Sequence, residues 1–206
     1  EGTRSFAVHC FDPDAPTGGP LGYPLAPSGF QNTTSTTVSF TQGSDGSGSG
    51  IGRHQLLRQQ TALVGGVCDP GWTALANIGP LNAPSPYTDT TLQDGFCYRY
   101  TLHVWDNVNN RETITELSEV RVDTTAPTGA LDAQPLYVSG SVNVTGVHAD
   151  TGSGVADFDI GFAGADTGAV CALEVQPSPY SCAWDTSLVT DGLYTLTLVV
   201  RDNAGN

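Results

Sequence analysis

In the last third of the chain, Ser141-Val142-Asn143-Val144-Thr145-Gly146-Val147 alternates apolar with polar residues. It then passes through Asp150-Thr151-Gly152-Ser153-Gly154 and resumes at Val155-Ala156-Asp157-Phe158-Asp159-Ile160. A period of two punctuated by glycine predicts strand, turn, strand. The clearest strand covers residues 193–200, with Tyr194, Leu196, Leu198 and Val200 on one face, and the same face occurs earlier as Tyr98, Tyr100, Leu102 and Val104. In both places a tyrosine follows an Asp-Gly turn at the start of a penultimate strand, the position a tyrosine corner needs, which predicts a Greek-key sandwich.

The pattern is written twice. Asp12-Pro13-Asp14-Ala15-Pro16-Thr17-Gly18 is matched by Asp123-Thr124-Thr125-Ala126-Pro127-Thr128-Gly129. Asp45-Gly46-Ser47-Gly48-Ser49-Gly50-Ile51 is matched by Asp150-Thr151-Gly152-Ser153-Gly154-Val155, and Trp105-Asp106-Asn107-Val108-Asn109-Asn110 by Arg201-Asp202-Asn203-Ala204-Gly205-Asn206. Three matches in one order mark a duplication. The expected organisation is residues 1–12 as a strand completing a preceding or neighbouring domain, 13–123 as a domain with a long middle loop, and 124–206 as a domain incomplete at its C-terminus. The first copy carries extra chain, placed within residues 59–86, which hold Cys68, Trp72 and a Pro-Ser-Pro turn.

The copies differ at their ends. After Asn110 the chain runs through one closing strand, Arg111 to Val122, to the linker at Asp123; nothing corresponds to it after Asn206. Residues 1–11 precede Asp12 as that strand precedes Asp123, with Phe6, Val8, Cys10 and Phe11 as its apolar positions. A sandwich without its last strand leaves an apolar edge that recruits a strand or aggregates. Three arrangements are compatible with this: one period of a longer covalent array, a subunit that donates residues 1–11 to its neighbour, or an arbitrary fragment.

Composition narrows the class. The 206 residues carry 25 Gly and 13 Pro, and 21 acids against 7 basic residues, all arginine, for a net charge of −14. No arginine cluster is visible, so a nucleic-acid partner is not expected. No apolar run is long enough for a membrane span. Five cysteines in a polar chain point to an oxidising, extracellular setting. The pairs expected are Cys68 with Cys97 and Cys171 with Cys182, leaving Cys10 over.

The linker Asp123-Thr124-Thr125-Ala126-Pro127-Thr128 and the strand ending Asp202-Asn203-Ala204-Gly205-Asn206 resemble those of extracellular bacterial Ig-like and fibronectin type III-like repeats. The resemblance covers nearly all of residues 12–206 and implies an all-β chain of two tandem Ig-like Greek-key β-sandwiches, the second lacking its own last strand. Such repeats serve as stalks in adhesins, as filament modules and as spacers in secreted enzymes, so the architecture alone names no ligand. In an Ig-type sandwich the incoming linker and the loops after the second strand and before the last gather at one end. That would collect Asp12, Asp14, Asp45 and Asp106 in the first copy, and Asp123, Asp150 and Asp202 in the second. With no lysine nearby, such carboxylates suit Ca2+; they equally suit the capping of turns.

No catalytic constellation is visible. His9, His54, His103 and His148 lack zinc-ligand spacing, and the glycine-rich run at 43–52 leads into no helix, so an enzyme is not expected. Trp72, Trp105 and Trp184 could stack on a glycan or pack in cores and junctions. Asn32 and Asn143 stand in glycosylation sequons. The expected function is a structural repeat unit of an extracellular stalk or filament, whose partners are copies of itself or adjacent repeats. The rivals are an adhesin or glycan-binding module using the 59–86 loop, and the spacer of a secreted enzyme.

Overall fold

The computed structural model describes residues 11–25 and 28–206. Its first part contains β1 (Leu21–Gly22), β2 (Phe30–Gln31), β3 (Thr36–Phe40), β4 (Ile51–Val64), β5 (Val67–Cys68), β6 (Ala76–Asn77), β7 (Tyr87–Asp89), β8 (Phe96–Asp106), β9 (Arg111–Thr115) and β10 (Val120–Val122). After the linker come β11 (Thr128–Leu131), β12 (Ser141–Ala149), β13 (Val155–Ala163), β14 (Thr167–Glu174), β15 (Tyr180–Asp185) and β16 (Thr195–Asp202), with one 3-10 turn at Thr186–Leu188. No helix among the described residues is long and apolar enough to cross a membrane.

Each part is a pair of sheets, and no sheet mixes strands from the two sides of Asp123. In the first, β1-β3-β7 faces β2-β10-β8-β4-β5, with β6 on β4 and β9 on β8; in the second, β11-β12-β15 faces β14-β13-β16. This strand order is that of an Ig/fibronectin type III-like sandwich. The alternation read from the sequence decides what lies inside. Tyr98, Tyr100, Leu102 and Val104 of β8 are fully buried with Leu56, Val38, Val120 and Val122. Val144, Phe158, Ile160, Tyr180, Cys182 and Trp184 form the second core. The corner tyrosines are as expected: the Tyr98 hydroxyl accepts from the Gln93 N–H (2.8 Å), and the Tyr194 hydroxyl donates to the Thr190 carbonyl (2.7 Å).

The closing strand of the first sandwich is broken in two. β9 pairs with the later half of β8 and β10 with its beginning, with Val120 opposite Tyr98 and Val122 opposite Phe96. Among the described residues, β16 has only β13 beside it. Consequently Leu196, Leu198 and Val200 remain partly exposed, whereas their counterparts Tyr100, Leu102 and Val104 are sealed.

The 59–86 segment differs from the loop expected. β4 continues to Val64, and Gly65 and Gly66, at φ +55° and +78°, return the chain with Val64 opposite Val67. Two positive φ values in a two-residue connection suit a primed hairpin turn, which only small residues enter cheaply. The remainder doubles back along β4, pairing with it at β6, and its other residues are turns and irregular chain. Both disulfides form as expected: Cys68–Cys97 ties β5 to β8, and Cys171–Cys182 ties β14 to β15. Cys10, with Phe6 and Val8, lies outside the described residues.

Candidate metal centre

The linker, the turn before β4 and the end of β8 meet at one pole of the first sandwich. The corresponding elements around β13 and β16 meet at the pole of the second that faces the first. Two carboxylate triads result, Asp12 with Asp45 and Asp106, and Asp123 with Asp150 and Asp202; within each, one oxygen per residue lies within 4.8 Å of the others. Asp14 is not in the first triad, and its contribution is its backbone carbonyl, which accepts from the Asn110 amide at 3.0 Å.

The triads are built alike. In the first, the Ser49 N–H donates to Asp12 Oδ2 and the Gly50 N–H to Asp45 Oδ2, both at 2.6 Å. In the second, the Ser153 N–H donates to Asp123 Oδ2 and the Gly154 N–H to Asp150 Oδ2, both at 2.5 Å. Asp106 Oδ1 accepts from the N–H groups of Val108 and Asn110, and Asp202 Oδ1 from those of Ala204 and Asn206. Backbone donors thus hold at least one oxygen of each carboxylate, and both of Asp123, whose Oδ1 also accepts from the Thr125 N–H at 3.2 Å.

Four asparagines complete the frame. The Asn107 amide donates to the carbonyls of Ser49 and Gly50, and that of Asn203 to Ser153 and Gly154. The Asn110 amide reaches the Asp12 carbonyl and Asp106 Oδ2, and that of Asn206 the Asp123 carbonyl and Asp202 Oδ2. A Cβ at Gly48 would stand 2.6 Å from Asp45 Oδ2, and one at Gly152 would overlap the Asp123 carboxylate, so both glycines keep the space between the acids open. These asparagines and glycines were present in the duplicated motifs, and only their roles were unread.

The electrostatics of the triads reflect their surroundings. Burial raises the Asp150 pKa, and the nearby charges of Asp123 and Asp202 raise it further, against the opposing N–H of Gly154. Asp12 is lowered, chiefly by the Ser49 backbone donor. Asp106, Asp123 and Asp202 are themselves buried, with no cationic side chain paired to them among the described residues. The donor set fits Ca2+, a hard cation bound by roughly six to eight oxygens: three carboxylates would supply part of the shell, with carbonyls and water supplying the rest.

The remaining candidates are dispersed. Trp184 is buried in the second core, stacked on Phe162. Trp105 lies under Arg53 on the outer face of the sheet, with the guanidinium 4.7 Å from the ring centre. Trp72 is covered by Arg99 at 3.9 Å and packs with Phe30, Leu63, the Cys68–Cys97 disulfide and Ala204 of the second sandwich. Asn32 is exposed beside the junction, its amide 3.4 Å from the Gly205 carbonyl, and Asn143 is exposed on β12.

That last cluster is the internal junction. Ala204 sits on the apolar end of the first sandwich, while Asp94 accepts from the Thr124 N–H at 2.6 Å and the Thr125 hydroxyl at 2.7 Å. The linker N–H of Asp123 donates to the Gln31 carbonyl.

Fold and site together define an all-β chain of Ig/fibronectin type III-like sandwiches. No family model matches the chain, and no curated protein matches it. Among solved structures, it is similar to the fibronectin(III)-like modules of Clostridium thermocellum CbhA, with 15% identity over 90% of this chain and 87% of that one and a TM-score of 0.40. It is also similar to the FN1-FN3 domains of chicken CNTN1, with 12% identity, a TM-score of 0.37 and 94% of this chain covered, spanning 65% of that one.

Proposed function

We propose that this chain is a structural repeat unit of an extracellular stalk or filament. In this reading residues 13–123 and 124–206 are its two domains, and residues 1–12 complete the sandwich of a preceding or neighbouring unit. Successive units join by strand completion, and Ca2+ held by the two aspartate triads stiffens the junctions. The role is non-catalytic, and two disulfides suit it to an oxidising exterior.

The observation that carries the reading is that, among the described residues, β16 has only β13 beside it, with Leu196, Leu198 and Val200 partly exposed at stations that β9 and β10 seal in the first sandwich.

The test is amide exchange on a polypeptide carrying the chain twice in tandem, with Thr197→Ser in one copy as a mass tag. The β16 peptide of the leading copy should exchange far more slowly than that of the trailing copy. Equal, rapid exchange in both would sink strand completion.

A further inference from the structure

Residues 136–138 and 191–194 lie at the pole of the second sandwich away from the first. Between them runs a cleft of about 660 Å³ whose walls include Leu136, Tyr137, Trp184, Leu193 and Tyr194, with Gly192 beside them. Leu136, Tyr137 and Leu193 are 83%, 88% and 87% exposed. At the opposite pole of the molecule stand Phe11, 89% exposed, and Val108, 51% exposed.

The internal junction indicates what these two poles are for. Aligning the two linkers places Phe11 at the station of Val122, and aligning Asp106 with Asp202 places Val108 at the station of Ala204. Inside the molecule both stations are covered: Val122 is sealed in the first core opposite Phe96, and Ala204 rests on the Phe30, Leu63 and Trp72 cluster. Asp106 and Asp202 are 96 positions apart, so the station of Phe96 falls at Gly192. The pairing is therefore valine against phenylalanine at the internal joint, and phenylalanine against glycine at the outer one.

Charge runs the same way. Arg53 and Arg111, on the two strands that flank β8 and both opposite Trp105, have no carboxylate partner among the described residues, whereas the walls of the cleft also carry Asp132 and Asp191.

We infer that the cleft is the socket for Phe11 of a second copy of this chain, docked head to tail so that the contact repeats the geometry of the internal junction. The inference rests on the repeat-unit reading and adds to it the residue that fills the socket. A heterologous contact of this kind does not close on itself and propagates as a filament.

The experiment is sedimentation velocity on the full chain in calcium, in a Cys10→Ser background, at up to about 1 mM, where weak association registers. The wild-type poles should give a sedimentation coefficient that rises with concentration. Phe11→Asp and Gly192→Val should each weaken association at least tenfold, roughly 1.4 kcal/mol. Neither variant threatens the fold, since Phe11 is exposed and a Cβ at Gly192 meets only the Ala165 methyl at 3.4 Å. A mixture of the two variants retains one intact head and one intact tail, and should stop at dimers. A single species at every concentration, or association indifferent to both variants, would overturn the socket.

Exchange at the β16 amides of the same samples separates this inference from strand completion. Association that requires Phe11 but leaves β16 exchanging freely keeps the socket and removes strand completion. Protection of β16 that survives Phe11→Asp does the reverse.

Discussion

Replacing Asp150 by asparagine should have opposite effects with and without calcium. Asp150 takes part in two of the three repulsions in its triad, whose oxygens lie within 4.8 Å of one another. At that separation each repulsion costs about 1 kcal/mol in a water-like dielectric and about 3 kcal/mol at an effective dielectric of 20. Asp150 itself is half-buried while its two partners are buried, so the water-like figure is a floor, for a relief of at least roughly 2 kcal/mol. The asparagine carbonyl can still accept from Gly154, and exchanging a charged for a neutral acceptor there returns roughly 1 kcal/mol. In chelator the variant should therefore be at least about 1 kcal/mol more stable, each such kcal/mol being a rise of roughly 4–8 °C for a sandwich of this size.

In calcium the order reverses. A cation at a hundred times its Kd stabilises the wild type by roughly 2.7 kcal/mol, and a neutral ligand in place of a carboxylate weakens that binding. Calorimetric melting of both proteins, with calcium and with chelator, reads the sign directly. If Asp150→Asn lowers the melting temperature equally in both buffers, Asp150 is a turn cap and the cation argument fails. The same carboxyl sets a pH dependence. Its folded pKa lies above its unfolded one, so its contribution is fully present below the unfolded value, near 3.9, and is lost as pH rises through the folded value. A chelated sample should show this loss between acid and neutral pH, and Asp150→Asn should remove it.

Three further outcomes follow from the packing. Gly152→Ala pushes a methyl into the Asp123 carboxylate and should weaken calcium binding by titration calorimetry at least tenfold; unchanged affinity would show that the triad is not the site. Asp89 is buried against Arg58 at 2.7 Å; burial works against its charge, but the Thr91 hydroxyl and N–H and the Arg58 guanidinium outweigh it, so its pKa is lowered. Asp89→Ala, which also strips the Tyr100 hydroxyl of its acceptor, should destabilise the first sandwich by about 3–5 kcal/mol in urea melts, and a loss under 1 kcal/mol would contradict this. Replacing Cys171 and Cys182 together by serine should cost the second sandwich about 3 kcal/mol by the loop-entropy estimate for their 11-residue separation, with the first transition unmoved.

Much of this molecule was legible because its physics is local and written twice. The alternation of β8, β12, β13 and β16 set the cores, and the duplicated aspartates located both triads. What escaped depends on partners remote in sequence. β14, rich in Gly and Ala, has little strand preference of its own and exists because β13 pairs with it. The Val64-Gly65-Gly66-Val67 hairpin was readable and was missed. Asp14 shares its linker with Asp12, yet only the register of Asn110 decides that its carbonyl, and not its carboxylate, faces the site.

The Cys68–Cys97 bond bears on how the molecule would lengthen under load. The first sandwich, about 110 residues, could pay out at most about 380 Å when pulled from both ends. The bond closes off a loop of 29 residue steps, roughly 100 Å of that length, which tension cannot reach while the sulfurs remain joined. Oxidised, the module is a tether with a built-in stop, and reduction would lengthen its reach by about a third.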